Sequence, residues 1–242
     1  MTIWPKGYDR IQHDTLDSTN NEARRLADAG EAGPVWITAA HQTAGRGRRG
    51  RIWESGQGNL ATTLLLRPQA PAPIIGQLSF AAALAAAEMA AHFAPRAVIT
   101  VKWPNDVLAG GCKLAGILLE SDSKAGWLAI GIGVNLTSFP QGTEFPATSL
   151  AQLDITAPSP DAALTVLAAR FAHWYDLWMD QGFEIVRAAW LARASGLGSP
   201  IRARLANHET HNGLFEGIDE GGALLLNEQG RLRTIAAGEV FF

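Results

Sequence analysis

Val98-Ile99-Thr100-Val101-Lys102-Trp103-Pro104-Asn105-Asp106-Val107-Leu108-Ala109-Gly110-Gly111-Cys112-Lys113-Leu114-Ala115-Gly116-Ile117-Leu118-Leu119-Glu120 reads as three short strands in one continuous stretch. Val98 to Lys102 is the first and leads into Trp103-Pro104, which fixes a backbone turn. Asn105 to Ala109 and Lys113 to Glu120 form a hairpin about Gly110-Gly111, a pair that tolerates the positive φ of tight turns. Working outward, Val35 to Ala40, Leu60 to Leu66 and Trp127 to Leu136 are further strands, the last entered through a turn at Asp122 to Gly126. Ser18-Thr19-Asn20-Asn21-Glu22 opens a helix in which Thr19 is the expected cap and Glu22 completes a capping box. Ala23, Leu26 and Ala27 keep its spacing until Gly30, and a second, alanine-rich helix runs from Ile75 to Phe93. Hairpins with two intervening helices predict an α+β fold: a mixed, largely antiparallel sheet with helices on one side.

Ser159-Pro160-Asp161 opens a long helix, with serine as cap and proline at the first helical position. Its Leu164, Leu167, Phe171, Trp174 and Trp178 read as core packing, and another helix spans Phe183 to Ala194. The breaker-rich Ser195-Gly196-Leu197-Gly198-Ser199-Pro200 is the expected boundary, dividing residues 1–196 from 197–242. Beyond it only strand-like pieces occur, near Ile201 to Leu205, Gly213 to Ile218, Ala223 to Leu226 and Leu232 to Ala236. So short a run of strands predicts a small β-barrel that leans on its neighbour for stability.

The 242 residues suffice for one large domain with a small appendage. A net charge of −3 argues against general nucleic-acid coating, and the single Cys112 excludes an intramolecular disulfide or a cysteine-built zinc site. That usage, with an N-terminus unlike a secretory signal, fits the cytoplasm. The apolar run Leu78 to Ala94 is mostly alanine and carries Glu88 and His92, so it reads as a buried helix. Cys112 reads as a bystander thiol, and His208-Glu209-Thr210-His211 lacks the spacing of a zinc helix, so no structural metal is assigned.

Gly45-Arg46-Gly47-Arg48-Arg49-Gly50-Arg51, introduced by His41-Gln42-Thr43-Ala44, is the second informative stretch. It matches the glycine spacing of a dinucleotide fingerprint, but no helix opens after it, and no kinase motif or Walker sequence accompanies it. What remains is a guanidinium-rich loop able to close over phosphates, although a solvated surface loop shows the same composition. Gln42, at the end of the feeding strand, suits a small polar ligand. Trp53 suits either stacking on a purine or ordinary core packing.

Asp17-Ser18-Thr19-Asn20, the arginine loop, Lys102-Trp103-Pro104-Asn105-Asp106, Lys113 to Leu118 and Gly133-Val134-Asn135 together resemble the biotin–protein ligases. Gly217-Ile218-Asp219 and Gly222-Ala223-Leu224-Leu225 are similar to that family's small SH3-like barrel. The resemblance spans nearly the whole chain and implies a two-step reaction. Biotin is first activated by ATP, with Mg2+, to biotinyl-5′-AMP. It is then passed to a lysine of a biotin carboxyl carrier protein or domain, of acetyl-CoA carboxylase or a related carboxylase. Only sixteen residues precede Asp17, too few for the DNA-binding module of the repressor members, so the expected type is ligase only, without DNA or membrane partners.

The resemblance also implies site roles. Ser18, Thr19, Asn20 and Gln42 match positions recognising the biotin head, with Gly116 and Ile117 forming an apolar wall near the ring. Lys113 matches the lysine near the biotin carboxylate and α-phosphate and ranks first as catalytic residue, with Arg48. Arg46, Gly47 and Arg48 border biotin, and Arg46, Arg48 and Arg49 bind phosphates. Trp53, Lys102, Asn105 and Asp106 fall in the nucleotide part; Asp106 suits either a metal or the orientation of a lysine. Family members also pair edge-to-edge through the sheet, so a homodimer is open. The rival readings are a lipoate–protein ligase or octanoyltransferase, and a nucleic-acid-binding protein using the arginine loop.

Overall fold

The computed structural model describes residues 2–122 and 126–242, so the centre of the expected turn at Asp122 to Gly126 lies outside the described residues. The chain runs β1 (Asp9–Leu16), α1 (Thr19–Asp28), β2 (Val35–Gln42) and β3 (Leu60–Leu66). Then come α2 (Ala72–Ile75), α3 (Leu78–Phe93), β4 (Ile99–Lys102), β5 (Asp106–Ala109), β6 (Cys112–Ser121) and β7 (Leu128–Val134). After α4 (Pro160–Gln181) and α5 (Phe183–Leu191) follow β8 (Pro200–Arg204), β9 (Thr210–Ile218), β10 (Leu224–Glu228), β11 (Arg231–Ile235) and β12 (Glu239–Phe241).

Seven strands form one sheet in the order β1-β2-β3-β7-β6-β5-β4, antiparallel except for the parallel β1–β2 pair. The β5–β6 hairpin turns at Gly110 and Gly111 with φ of 57° and 81°, a conformation side chains resist. β3 is buried along its whole length because both faces of the sheet are covered. On one face Trp36, Leu64, Ile130 and Ile132 pack with α3, α4 and α5 in the main core. The alternate residues Ile37, Leu65 and Ala129 face the other way and meet Ala23 and Ala27 of α1. Helices α3, α4 and α5 thus share one face as expected, while α1 covers the other, beside the candidate site.

Ser159 caps α4 as read from the sequence, accepting from Ala162 N at 3.2 Å. At α1 the N-cap is Ser18 rather than Thr19, and no side chain caps it. The expected Ile75–Phe93 helix divides at Gly76-Gln77. Buried Gln77 accepts from the Trp178 indole at 2.9 Å and donates to Glu220 O at 3.2 Å, bonding that satisfies otherwise orphaned groups. α5 stops short of Ala194 because Arg193 to Ser195 turn to hydrogen-bond Val101, covering the β4 edge.

The C-terminal strands form an antiparallel sheet, β11-β10-β9-β8-β12, whose end strands are not paired with each other, so the small SH3-like unit is open along one side. Its Phe215, Leu224, Leu226 and Val240 belong to the main core. Trp103, 2% exposed, donates to Gly222 O at 3.0 Å and so stitches the two sheets together. Trp103→Ala is expected to cost about 3–5 kcal/mol in urea denaturation, through lost burial and an orphaned carbonyl. A loss below about 1 kcal/mol would show the stitch to be dispensable. Among the described residues no helix is long and apolar enough to cross a membrane.

Candidate active site

Strand alternation places Gly116, Leu118 and Glu120 of β6, Gly131 and Gly133 of β7, and Ala61 and Thr63 of β3 on the α1 face. Gly116 lies opposite Gly133, and Gly133 opposite Ala61, so a row nearly free of side chains forms a trough. A Cβ on Gly131 would sit 2.2 Å from Asn20 Oδ1, and one on Gly133 2.2 Å from the Trp53 ring. The trough is the floor of a cavity of about 380 Å3, a size suited to a small molecule.

β2 ends at Gln42 and delivers the chain to the arginine loop. Gly47 N donates to Arg51 O (2.8 Å) and Trp53 N to Gly45 O (3.0 Å), making the loop a narrow hairpin tipped by Arg48–Gly50. Gly45 has no room for a side chain, since a Cβ would lie 2.5 Å from the Trp53 carbonyl. The hairpin lays the Trp53 indole over Gly116 and Gly133, with Lys113 Nζ 5.7 Å from the ring centre. Trp53 is therefore a cavity wall rather than a core residue.

One end of the cavity is neutral and polar. Gln42 Oε1 accepts from Thr19 N (2.9 Å) and Thr19 Oγ1 (3.1 Å), and Gln42 Nε2 donates to Ser55 Oγ (2.9 Å). The buried Thr63 hydroxyl lies 2.8 Å from Thr19 Oγ1 and donates to Asn20 Oδ1 at 2.6 Å. Ser18, also buried, completes this end. Asn20 Nδ2 donates to Glu120 at 2.7 Å, and the Arg46 guanidinium meets both oxygens of the same carboxylate at 3.0 and 3.1 Å.

The other end is cationic. Lys113 Nζ pairs with Asp106 at 2.6 Å. Arg48 donates to Asn105 Oδ1 and to Gly238 O, each at 3.3 Å, joining the loop tip to the Lys102–Asp106 stretch and the C-terminal sheet. Glu239 of β12 binds Arg51 (2.6 Å) and Arg204 (2.7 Å) and lies 3.7 Å from Arg49. Burial opposes its charge, yet hydrogen bonds from Arg204 and Arg51 hold its carboxyl down to about 2.

Lys102 lies at the end of β4, 3% exposed, with Nζ 2.8 Å from the centre of the Phe145 ring. Burial pushes its ammonium down to about 7, against the supporting charge of Asp106. A polyphosphate bound beside Lys102 would favour the protonated form. The kcat/KM for ATP is expected to fall as pH rises above about 7, and Lys102→Arg to flatten that fall. A profile unchanged by Lys102→Arg would assign the fall to another group. The effect on stability has the same origin. Between about 7 and the ordinary lysine value the unfolded chain binds the extra proton, so stability rises with pH across that window.

Most of the residues singled out from the sequence converge here: Ser18, Thr19, Asn20 and Gln42 at the polar end, Arg46, Gly47 and Trp53 along the loop, and Arg48, Lys102, Asn105, Asp106 and Lys113 at the cationic end. Gly116 lies on the floor. Three depart from the placement expected for them. The Ile117 side chain is buried in the main core on the helical face, because it alternates with Gly116, so only its backbone borders the cavity. Arg49, at φ 58° in the loop tip, turns toward Glu239 and is not part of the lining. Arg46, expected among the phosphate ligands, is engaged by Glu120 at the polar end. Glu120, Thr63, Gly131, Glu239 and the Glu144-Phe145 segment were not singled out from the sequence. The alternation Gly116, Leu118, Glu120 in an apolar strand, and the spacing Gly131, Gly133, were the available signals.

Residues 13–136 match the model of the Biotin/lipoate A/B protein ligase family, and residues 196–242 that of the Biotin protein ligase C terminal domain. The chain is 46% identical to a biotin–[acetyl-CoA-carboxylase] ligase of Paracoccus denitrificans, over 93% of this chain and 97% of that protein. It is 34% identical to a bifunctional ligase/repressor of Bacillus subtilis, over 97% of this chain and 74% of that protein. The biotin protein ligase of Aquifex aeolicus, solved in complex with biotin and ATP, superposes with a TM-score of 0.84 at 25% identity, covering 96% of this chain and 97% of that one. With matched segments that carry the glycine trough, the arginine hairpin and the Lys113–Asp106 pair, this chain belongs to the biotin protein ligase family.

Proposed function

We propose that this cavity carries both half-reactions of an ATP-dependent biotin–protein ligase, with the roles of its residues set by its two ends. The carrying observation is that a neutral hydrogen-bonding end (Thr19, Asn20, Gln42) and a cationic end (Arg48, Lys102, Lys113) share one trough. Biotin has the same polarity: an uncharged ureido head, an apolar middle and a terminal carboxylate. The head would meet the polar end, the apolar part would lie on Gly116 and Gly133 under Trp53, and the carboxylate would reach Lys113.

In the first step a biotin carboxylate oxygen attacks the α-phosphorus of ATP, the bond to the β-phosphate oxygen breaks, and pyrophosphate leaves. Lys113, with Arg48 and Lys102, neutralises the charge gathering at phosphorus, and Asp106 holds the Lys113 ammonium in place. Asn105 contacts the nucleotide. In the second step the neutral amine of an acceptor lysine attacks the acyl carbon, AMP leaves, and the amine loses its proton. The arginine hairpin and Trp53 cover the anhydride and keep water from it.

Mg2+ would enter on the polyphosphate. Among the described residues no cluster of three or more His, Cys, Asp or Glu forms a protein-built metal cage. This ion commonly takes one or two carboxylates with phosphate oxygens, and Asp106 is a carboxylate within the lining. The acceptor is a biotin carrier domain of a carboxylase, with acetyl-CoA carboxylase the first candidate. We assign the reaction to the cytoplasm, and residues 1–196 and 197–242 to a catalytic and a small C-terminal domain. Pairing of two copies through a sheet edge belongs to the same reading, and DNA binding does not.

The test is pyrophosphate exchange into ATP with biotin, lipoate or octanoate at equal concentration. Exchange with biotin alone is expected. Exchange with lipoate instead would move the assignment to a lipoate ligase. No exchange with any acid, on folded protein with Mg2+, would remove the ligase reading of the site.

A further inference from the structure

We propose that Glu120 is a positioning residue for biotin: it fixes which way the Asn20 amide points and ties the root of the arginine hairpin to that amide. The proposal rests on the ligase reading of the cavity and concerns a residue for which that reading needs no role. Glu120 stands on the α1 face of β6, two residues beyond Leu118 and opposite Ala129, with its side chain one-third exposed. An ionised carboxylate only accepts hydrogen bonds. Facing Asn20, it takes the Nδ2 donor at 2.7 Å, so Oδ1 must point the other way, toward Thr63 and the glycine floor. The ureido head of biotin carries two N–H donors, and a buried donor left without an acceptor is costly. Glu120 thereby keeps an acceptor aimed into the polar end of the cavity.

The same carboxylate receives Arg46 through Nε and Nη2. Arg46 is the first arginine of the hairpin that carries Trp53 over the trough. Two segments far apart in the chain, the start of α1 and the base of the loop, therefore converge on one pair of oxygens. A neutral amide at position 120 cannot replace both oxygens: with its oxygen in place of Oε2 its donor end faces the Arg46 guanidinium, and with the ends exchanged it turns a donor on Asn20 Nδ2.

The variants are Glu120→Gln and the double change Asn20→Asp with Glu120→Gln. The double change exchanges amide and carboxylate: position 120 can then donate to position 20 and still accept from Arg46. Biotin-dependent pyrophosphate exchange and thermal unfolding are measured on both variants and the unaltered chain. Glu120→Gln is expected to raise the KM for biotin about tenfold or more, the scale of a lost hydrogen bond to a charged group. The KM for ATP should stay within about twofold, and the double change should bring biotin KM most of the way back. A biotin KM unchanged by Glu120→Gln would overturn the proposal. So would a joint rise in both KM values that the double change fails to reverse, since that marks a merely structural residue. Failure of the unaltered chain to exchange with biotin would remove the ligase reading itself and the proposal with it, an outcome distinct from either.

Discussion

Lys113→Ala is expected to slow biotin-dependent pyrophosphate exchange by about 100- to 1,000-fold, the scale on which a preorganised charge acts at a developing anion. Lys113 sits in a frame that leaves it little freedom. Its backbone N–H donates to Pro146 O at 2.8 Å, and its carbonyl accepts from Thr148 N at 2.9 Å, so the chain is held on the side away from β5. Its ammonium is held by Asp106 at 2.6 Å. Removing it takes away the cation and leaves the Asp106 carboxylate facing the incoming phosphates, so loss of attraction and new repulsion act together. Stability should change little, by about 1 kcal/mol or less, because the pair is partly open to water. Thermal unfolding together with the exchange rate separates the two effects. Near-normal exchange would remove Lys113 from its role and transfer the charge stabilisation to Arg48 and Lys102.

What could be read from the sequence was mostly what neighbouring residues determine. The β5–β6 hairpin follows from two glycines at a turn, β3 from a mostly apolar run interrupted by Thr62 and Thr63, and the start of α4 from Ser159 and Pro160. β1 could not be read this way: Asp9–Leu16 has no apolar alternation because it is a largely exposed edge strand, held by pairing with β2. β12 is only three residues long, yet its Glu239 reaches Arg51 across 188 positions of sequence. The site divides likewise. Motif residues such as Gln42, Arg48 and Lys113 are visible as a pattern. Glu120, Thr63 and Gly131 matter because β3, β6 and β7 lie side by side, a relation made only by folding. The misplacement of Ile117 shows the limit from the other direction. Adjacent residues of a strand face opposite ways, so a motif can hold a cavity residue and a core residue in succession. Thr19 shows a residue drawn away from a local role. It has the chemistry of a helix cap, but its hydroxyl donates instead to Gln42, with the Thr63 hydroxyl against it at 2.8 Å.

Gly131→Ala is expected to weaken biotin binding by about 100-fold or more while leaving the KM for ATP within about twofold. The new Cβ would lie 2.2 Å from Asn20 Oδ1 and 3.0 Å from its Cγ, so one of the two must move. β7 cannot yield easily, because Gly131 is paired with Thr63 on one side and Leu118 on the other. Asn20 must therefore swing away, losing Thr63 and Glu120 at once and leaving buried polar groups short of partners. The stability cost should be about 1–3 kcal/mol, seen in urea denaturation, of the same order as the roughly 3 kcal/mol that a 100-fold binding loss represents. Gly133→Ala supplies the contrast. Its Cβ would strike the Trp53 ring at 2.2 to 2.5 Å, displacing the hairpin that carries Arg48, so biotin and ATP should both bind more weakly. Two methyl groups two residues apart on one strand thus produce different signatures, because one meets the head-recognition residues and the other the covering loop. If Gly131→Ala weakened both substrates equally, the division of the cavity into a biotin-head end and a nucleotide end would have to be abandoned.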